Sequence, residues 1–162
     1  KLSMRQAEEL GLVGPVARAS GLAKDARKDF PSGYYATRRN FLPALCHSGD
    51  VYARAKIRWL EIKASLELLR LALAQAAGHQ QKTPAHAPLA PHALAIAIEE
   101  GWRGEICHLA RTSRTGDIDF YKIADPSFKN WPGLALAMRG QQISDFPLCN
   151  KSFNLSYCGH DL

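Results

Sequence analysis

The side chains of this chain best suited to chemistry crowd its last positions, where Ser156, Cys158, His160 and Asp161 stand within SFNLSYCGHDL. Cys158 and His160, joined by Cys149, make a candidate metal-ligand set, and soft metals are held chiefly by thiolates. The spacing speaks against such a site. Cys149, the nearest thiol to Cys158, lies nine residues before it rather than three, and Cys46 and Cys107 are farther still. His79, His86 and His92 fall in a proline-bearing segment without neighbouring thiols or carboxylates, which reads as polar surface. Gly101-Trp102-Arg103-Gly104 offers a G-x-x-G, but it lacks the Lys-Ser/Thr ending of a phosphate-cradling loop. No metal is expected on this chain.

These residues must be positioned by helices and a short sheet. Ser3 is a plausible N-cap and Gly11 a stop for an opening helix. Residues 14–47 carry Gly14-Pro15, Gly21, Pro31, Ser32-Gly33 and Pro43, a loop-rich path. Asp50 can cap a long helix in which Tyr52, Ala55, Trp59, Ile62, Leu66, Leu69 and Leu73 step by three and four. That stripe predicts a packing helix of a bundle, with a self-associating coiled coil as the alternative, and Gly78 is expected to end it. Residues 78–93 read as a surface linker.

Farther on, the period changes to two. Ile106, His108 and Ala110 alternate with Cys107, Leu109 and Arg111, then Ile118, Phe120, Lys122 and Ala124 with Asp119, Tyr121 and Ile123. Arg114-Thr115-Gly116-Asp117 between them predicts an antiparallel hairpin. Asp125-Pro126-Ser127-Phe128 should end the second strand, residues 134–143 can form a helix, and Pro147 should break the pattern before the tail. The expected fold class is α+β, a single domain over residues 1–162: a long amphipathic helix, an antiparallel β-hairpin and a C-terminal helix.

At 162 residues and 46% hydrophobic composition the chain can build a core, and its net charge of +6 and pI near 9.3 are consistent with a solvated basic surface or a docking face. Arg5, Arg18, Lys24, Arg27, Arg38, Arg54, Arg103 and Arg139 are dispersed, and no helix-turn-helix, zinc-finger or RNA-binding signature accompanies them. A nucleic-acid partner is not expected. The scattered cysteines and the lack of a secretory leader pattern favour reduced thiols. No apolar run approaches the ~20 residues of a membrane-spanning helix, so a soluble or peripheral chain is expected.

The closing 38 residues from Asp125 resemble the C-terminus of the large subunit of nickel-iron hydrogenases and of the quinone-reducing, hydrogenase-like subunit of respiratory complex I. The resemblance extends upstream through AEELGLVGPVARASGLAKDARKDFP and GDVYARAKIRWLEIKASLELL. Its ordered set is G-P, G-D-x-Y-x-R, P-S-F, then Arg139-Gly140 and Ser144-Asp145, where family members turn toward the buried centre. It points to the membrane-bound, formate hydrogenlyase type, with a hydrogenase-large-subunit-like C-terminal domain. Because an N-terminal half precedes this region in the family, a C-terminal fragment or a naturally truncated relative is expected.

In metal-binding members, the resemblance implies, two cysteines at C-x-x-C spacing near this end help hold the nickel-iron centre. Ser156 and Gly159 stand at those positions here. A site rescued by Cys149, Cys158 and His160, with nickel or with zinc, is the sharper alternative. Asp161 matches the family's terminal Asp-Arg pair, and Leu162 replaces the arginine. Ser156, Cys158, His160 and Asp161 are therefore expected either to line a residual pocket or to anchor the C-terminus by hydrogen bonds.

The function so implied is a nickel-free component of an NADH:quinone oxidoreductase-like complex at the inner face of a bacterial or archaeal membrane. It would take part in electron transfer from iron-sulfur clusters to quinone. No cofactor is expected on this chain itself: the clusters would lie in a partner subunit, NAD binding and quinone binding are expected of the NADH dehydrogenase-like complex, and the histidine and tyrosine of the quinone headgroup site belong to the N-terminal half. The expected partners are an iron-sulfur small subunit and that half, with homodimerisation when the chain is isolated. The alternatives are a non-catalytic scaffold that docks an iron-sulfur partner and, less favoured, an atypical nickel-iron hydrogenase. Turnover by the chain alone is not expected.

Overall fold

Short-range capping starts the chain as its sequence suggests. In the computed structural model, which describes residues 1–37, 41–76 and 88–161 with side chains through residue 159, helix α1 (Met4–Glu9) opens on a capping box. Ser3 Oγ accepts the Gln6 N–H at 3.2 Å, and Gln6 Oε1 accepts the Ser3 N–H at 3.0 Å. Helix α2 (Gly14–Ala19) carries Pro15 in its first turn, where a missing N–H costs nothing. The stretch expected to be loop also holds two single-turn helices, α3 (Ala26–Asp29) and α4 (Gly33–Ala36).

Helix α5 (Val51–Ala76) is the long helix, and Asp50 Oδ1 caps it by accepting the Ala53 N–H at 2.8 Å. Its apolar stripe does not face the core. Tyr52, Trp59, Ile62, Leu66, Leu69 and Leu73 are all exposed, Leu73 at 72%, while Ala53 and Ile57 are buried against Ala19 and Arg54 is buried beside them. The buried face holds small and guanidinium groups because it seats the buried arginines described below. The expected packing of the stripe is thus not found among the described residues. Gly78 lies outside them, as do Arg38, His79, His86 and Leu162.

Strands β1 (Leu94–Gly101), β2 (Gly104–Thr112) and β3 (Ile118–Ala124) form one antiparallel sheet in that order. The expected hairpin is β2–β3, with its turn at Ser113–Asp117 and a register shift at Arg111/Thr112. The sheet is larger than expected, since β1 pairs with β2 along its whole length. Gly101-Trp102-Arg103-Gly104 is the turn that joins them. Gly104 adopts φ +134° with its Cα against Gly14 and Val13, a conformation and approach that exclude a side chain.

Helix α6 (Pro126–Ala137) starts eight residues before the expected 134–143 helix and ends six earlier. Asp125-Pro126 both stops β3 and starts α6, because Asp125 Oδ1 accepts the Ser127 N–H at 2.7 Å and proline suits a first helical turn. The same reason corrects Pro147. It does not break a helix but lies in the first turn of α7 (Phe146–Phe153), after a 3-10 turn at Ile143–Asp145.

The main core joins α1, α2, α6 and α7 through Leu2, Leu12, Val16, Leu134, Cys149 and Phe153. Asn130 on α6 is fully buried and serves three backbone groups. Its Oδ1 accepts the Val13 N–H at 3.0 Å, and its Nδ2 donates to Val13 O at 3.2 Å and Arg103 O at 3.3 Å. One side chain thus ties the entry of α2, the β1–β2 turn and α6 together, and these elements frame the tail.

Candidate functional site: the C-terminal turn and its arginine frame

The tail leaves α7 at Asn154, which adopts the left-handed conformation at φ 56°. Asparagine tolerates that region at a helix C-terminus. Guanidinium groups meet the orphan carbonyls there. Arg58 donates from Nη1 to Ser152 O at 2.6 Å and from Nη2 to Phe153 O at 2.9 Å, and Arg103 Nε donates to Asn154 O at 2.5 Å. Arg54 donates to Ser152 Oγ at 2.9 Å and to Gly49 O at 3.0 Å, and lies over the Phe153 ring at 4.3 Å. Cations at a helix C-terminus are favoured by the macrodipole. The cluster is costly nonetheless: burial lowers Arg54, and burial with repulsion from Arg54 and Arg103, opposed by Glu61, pushes Arg58 down to about 10.

Beyond Asn154 the chain is stitched to the start of α6. Leu155 enters the core, and the Ser156 N–H donates to Ser127 Oγ at 2.9 Å. Ser156 Oγ accepts the Gly159 N–H at 3.0 Å, opening a 3-10 turn over Cys158–Asp161. Ser156 therefore anchors the tail with both its backbone and its side chain. Gly159 is buried, whereas Cys158 is exposed and unbridged. Cys149 sits apart in the core at 7% exposure. The backbone of His160 and Asp161 completes the turn, and their side chains lie outside the described residues.

This geometry does not fit a nickel-iron centre. Ser156 offers a hydroxyl already engaged, and Gly159 offers nothing. Among the described residues no three or more His, Cys, Asp and Glu side chains gather as a metal set.

A second cluster is built on Arg18, whose partners Glu61 and Glu100 are distant in sequence. Arg18, fully buried on α2, contacts Asp25 at 3.1 Å, Glu61 at 2.8 Å and Glu100 at 2.8 Å, and its Nη1 also donates to Lys24 O at 2.9 Å. Arg27 contacts Asp25 at 2.6 Å. Burial opposes the Arg18 charge, but Glu100, Glu61 and Asp25 outweigh it, so the guanidinium holds its proton more tightly than usual. Burial lifts the Glu100 carboxyl above its ordinary range, and Arg18 reverses only part of that. A cleft of about 320 Å³ beside the cluster is lined by Arg27, Arg58, Glu61, Glu100, Ile62 and Trp102, among others, and neither Ser156 nor Cys158 lines it. The signal available was an arginine inside an apolar run, PVARA, since an unpaired buried charge is costly.

Comparison with known proteins places this architecture. Residues 1–96 match the family described as respiratory-chain NADH dehydrogenase, 49 kDa subunit. The carbon monoxide-induced hydrogenase of Rhodospirillum rubrum is 37% identical over 153 residues, which is 94% of this chain and 42% of that protein. Formate hydrogenlyase subunit 5 of Escherichia coli (strain K12) is 30% identical over 160 residues, 97% of this chain and 27% of that one. A chain of the membrane-bound sulfane sulfur reductase, an archaeal respiratory membrane complex, superposes with a TM-score of 0.86 at 23% identity, covering 99% of this chain and 45% of its own length. That likeness concerns the fold. The chain spans less than half the length of these relatives. Since the family match takes in more than half of its residues, the chain belongs to the family of the respiratory-chain NADH dehydrogenase 49 kDa subunit.

Proposed function

We propose that this chain is a nickel-free large-subunit component of a membrane-associated oxidoreductase, taking part in electron transfer from the iron-sulfur clusters of a partner subunit to quinone. The observation that carries the reading is the C-terminal turn. At the positions where the resemblance implies thiolates, Ser156 spends its hydroxyl on the Gly159 N–H, and Gly159 is buried without a side chain. Ser156, Cys158, His160 and Asp161 then serve the site by holding the tail in place or lining what remains of a pocket.

Two further features support a subunit role. The relatives are more than twice as long as the matched region, and the exposed stripe from Tyr52 to Leu73 is an apolar face suited to burial in an assembly. Among the described residues no helix is long and apolar enough to cross a membrane, which agrees with peripheral attachment at the inner face through other subunits.

The test uses the assembly that carries this chain. Metal analysis is expected to find iron but no nickel, and a quinone analogue is expected to bind and to inhibit electron transfer. Stoichiometric nickel would overturn the reading. Absence of quinone-analogue binding would replace electron transfer with a scaffold role.

A further inference from the structure

The contacts of the C-terminal turn close into a circuit. Asp125 Oδ1 accepts the Ser127 N–H at 2.7 Å, Ser127 Oγ accepts the Ser156 N–H at 2.9 Å, and Ser156 Oγ accepts the Gly159 N–H at 3.0 Å. Gly159 then returns to the start. A Cβ added there would lie 2.5 Å from Asp125 Cγ and 2.7 and 2.8 Å from its carboxylate oxygens. Real Cβ contacts are essentially never so short, so a side chain at 159 requires Asp125 to move.

That movement is opposed. Turning the carboxylate away gives up the bond to the Ser127 N–H, the N-cap of α6. A smaller displacement that keeps this bond still leaves a carboxylate beside any thiolate at 159, and like charges raise a thiol's pKa and hold it protonated. Ser127 itself is fully buried, which holds the middle of the circuit in place.

We infer that Asp125 is a metal-excluding residue: its carboxylate fills the volume that a side chain at position 159 would need, so that restoring cysteines at 156 and 159 does not by itself restore a soft-metal site. The inference deepens the nickel-free reading of the same turn and rests on it. It adds that metal exclusion is enforced by a third residue, outside the tail.

The experiment compares two forms of the full chain. One is Ser156→Cys/Gly159→Cys; the other adds Asp125→Ala. Cadmium, a soft probe, is titrated against each and followed by thiolate-to-metal absorption. The triple variant is expected to bind cadmium at least about tenfold more tightly than the double variant, the size of effect typical of residues that control a metal site from its surroundings. Equal affinities would overturn the inference, and so would weaker binding by the triple variant, the outcome if Asp125 acted as a ligand.

A second measurement covers the case in which the cysteine variants fold poorly. Gly159→Ala should lower the denaturation midpoint far more in the native chain than in an Asp125→Ala background, and equal losses would refute a collision with Asp125. Nickel found in the native assembly would sink the proposed function whatever these variants do. Tight cadmium binding by the double variant would sink only the role of Asp125.

Discussion

Replacing Arg18 by methionine tests whether the buried ion cluster holds α2, α3, α5 and β1 in their arrangement. The change keeps a long apolar stem and removes the fork that meets Glu61 and Glu100 at 2.8 Å, Asp25 at 3.1 Å and the Lys24 carbonyl at 2.9 Å. Charge-assisted hydrogen bonds contribute about 1.5–3 kcal/mol each. The two shortest carboxylate contacts therefore suggest a gross loss of about 3–6 kcal/mol, partly offset because the guanidinium no longer has to be desolvated. Glu100 and Asp25 remain nearly sealed from water, Asp25 paired with Arg27 and Glu100 accepting the Ala26 N–H, so the net cost should be about 3–5 kcal/mol, as for a broken buried pair. Against a total stability of about 5–15 kcal/mol, such a loss is plain in urea titrations followed by circular dichroism. The penalty should also depend on pH. Burial already holds the Glu100 carboxyl above its ordinary range, and losing Arg18 raises it further. A carboxyl with a raised folded-state pKa favours folding while protonated, and that advantage is lost as pH rises through the folded value. The difference between Arg18→Met and the native chain should accordingly narrow as pH falls below neutral, and Arg18→Met/Glu100→Gln should be more stable than Arg18→Met at neutral pH. A penalty below about 1 kcal/mol, within the range of exposed pairs, or one that stays flat with pH, would refute the reasoning.

Asn130→Ala strands the Val13 N–H and the Val13 and Arg103 carbonyls, and at about 1 kcal/mol for each hydrogen bond it should cost about 3 kcal/mol in a guanidinium titration; a cost under about 1 would mean water replaces the amide. Leu69→Glu/Leu73→Glu alters two exposed stripe positions and should change the stability of the chain by no more than about 0.5 kcal/mol while abolishing its co-purification with the assembly. Unchanged co-purification would remove the stripe from the interface. The Ala53 N–H lowers the Asp50 carboxyl below the ordinary carboxylate range, with burial opposing, so its capping stability is present above that range and lost as pH falls through the lower folded value. Asp50→Ala should cost about 1 kcal/mol at neutral pH and nothing in strong acid, and an equal deficit at both would show that ionised Asp50 does not cap α5.

What the sequence revealed of this fold, and what it hid, divides by the range of the interaction responsible. Ser3 and Asp50 act within three residues, so their caps were readable as letters in a row. Asp125-Pro126 is equally local but carries two messages, since proline cannot donate to a ladder and also suits a first helical turn, so a pair that reads as a strand end also starts α6. The stripe on α5 was legible as a pattern, but a helical period states which side chains share a face and is silent on what covers that face. Strand β1 was hidden by its alternating alanines, poor strand formers whose pairing is enforced by β2. Arg18 belongs to the same class of non-local effects, since its partners Glu61 and Glu100 lie 43 and 82 residues away.

The candidate site follows the same rule and shows why its chemistry was only half readable. Ser156 and Gly159 could be recognised as departures from a ligand pattern by comparing letters within the tail. Whether cysteines at those positions could hold a metal depends on what fills the volume beside position 159. That depends on Asp125, held in place by its bond to the Ser127 N–H at the head of another helix. A metal site lost by two substitutions could be regained by two. One whose space has been taken by a capping carboxylate needs a third change, and that change costs α6 the cap that anchors its first turn.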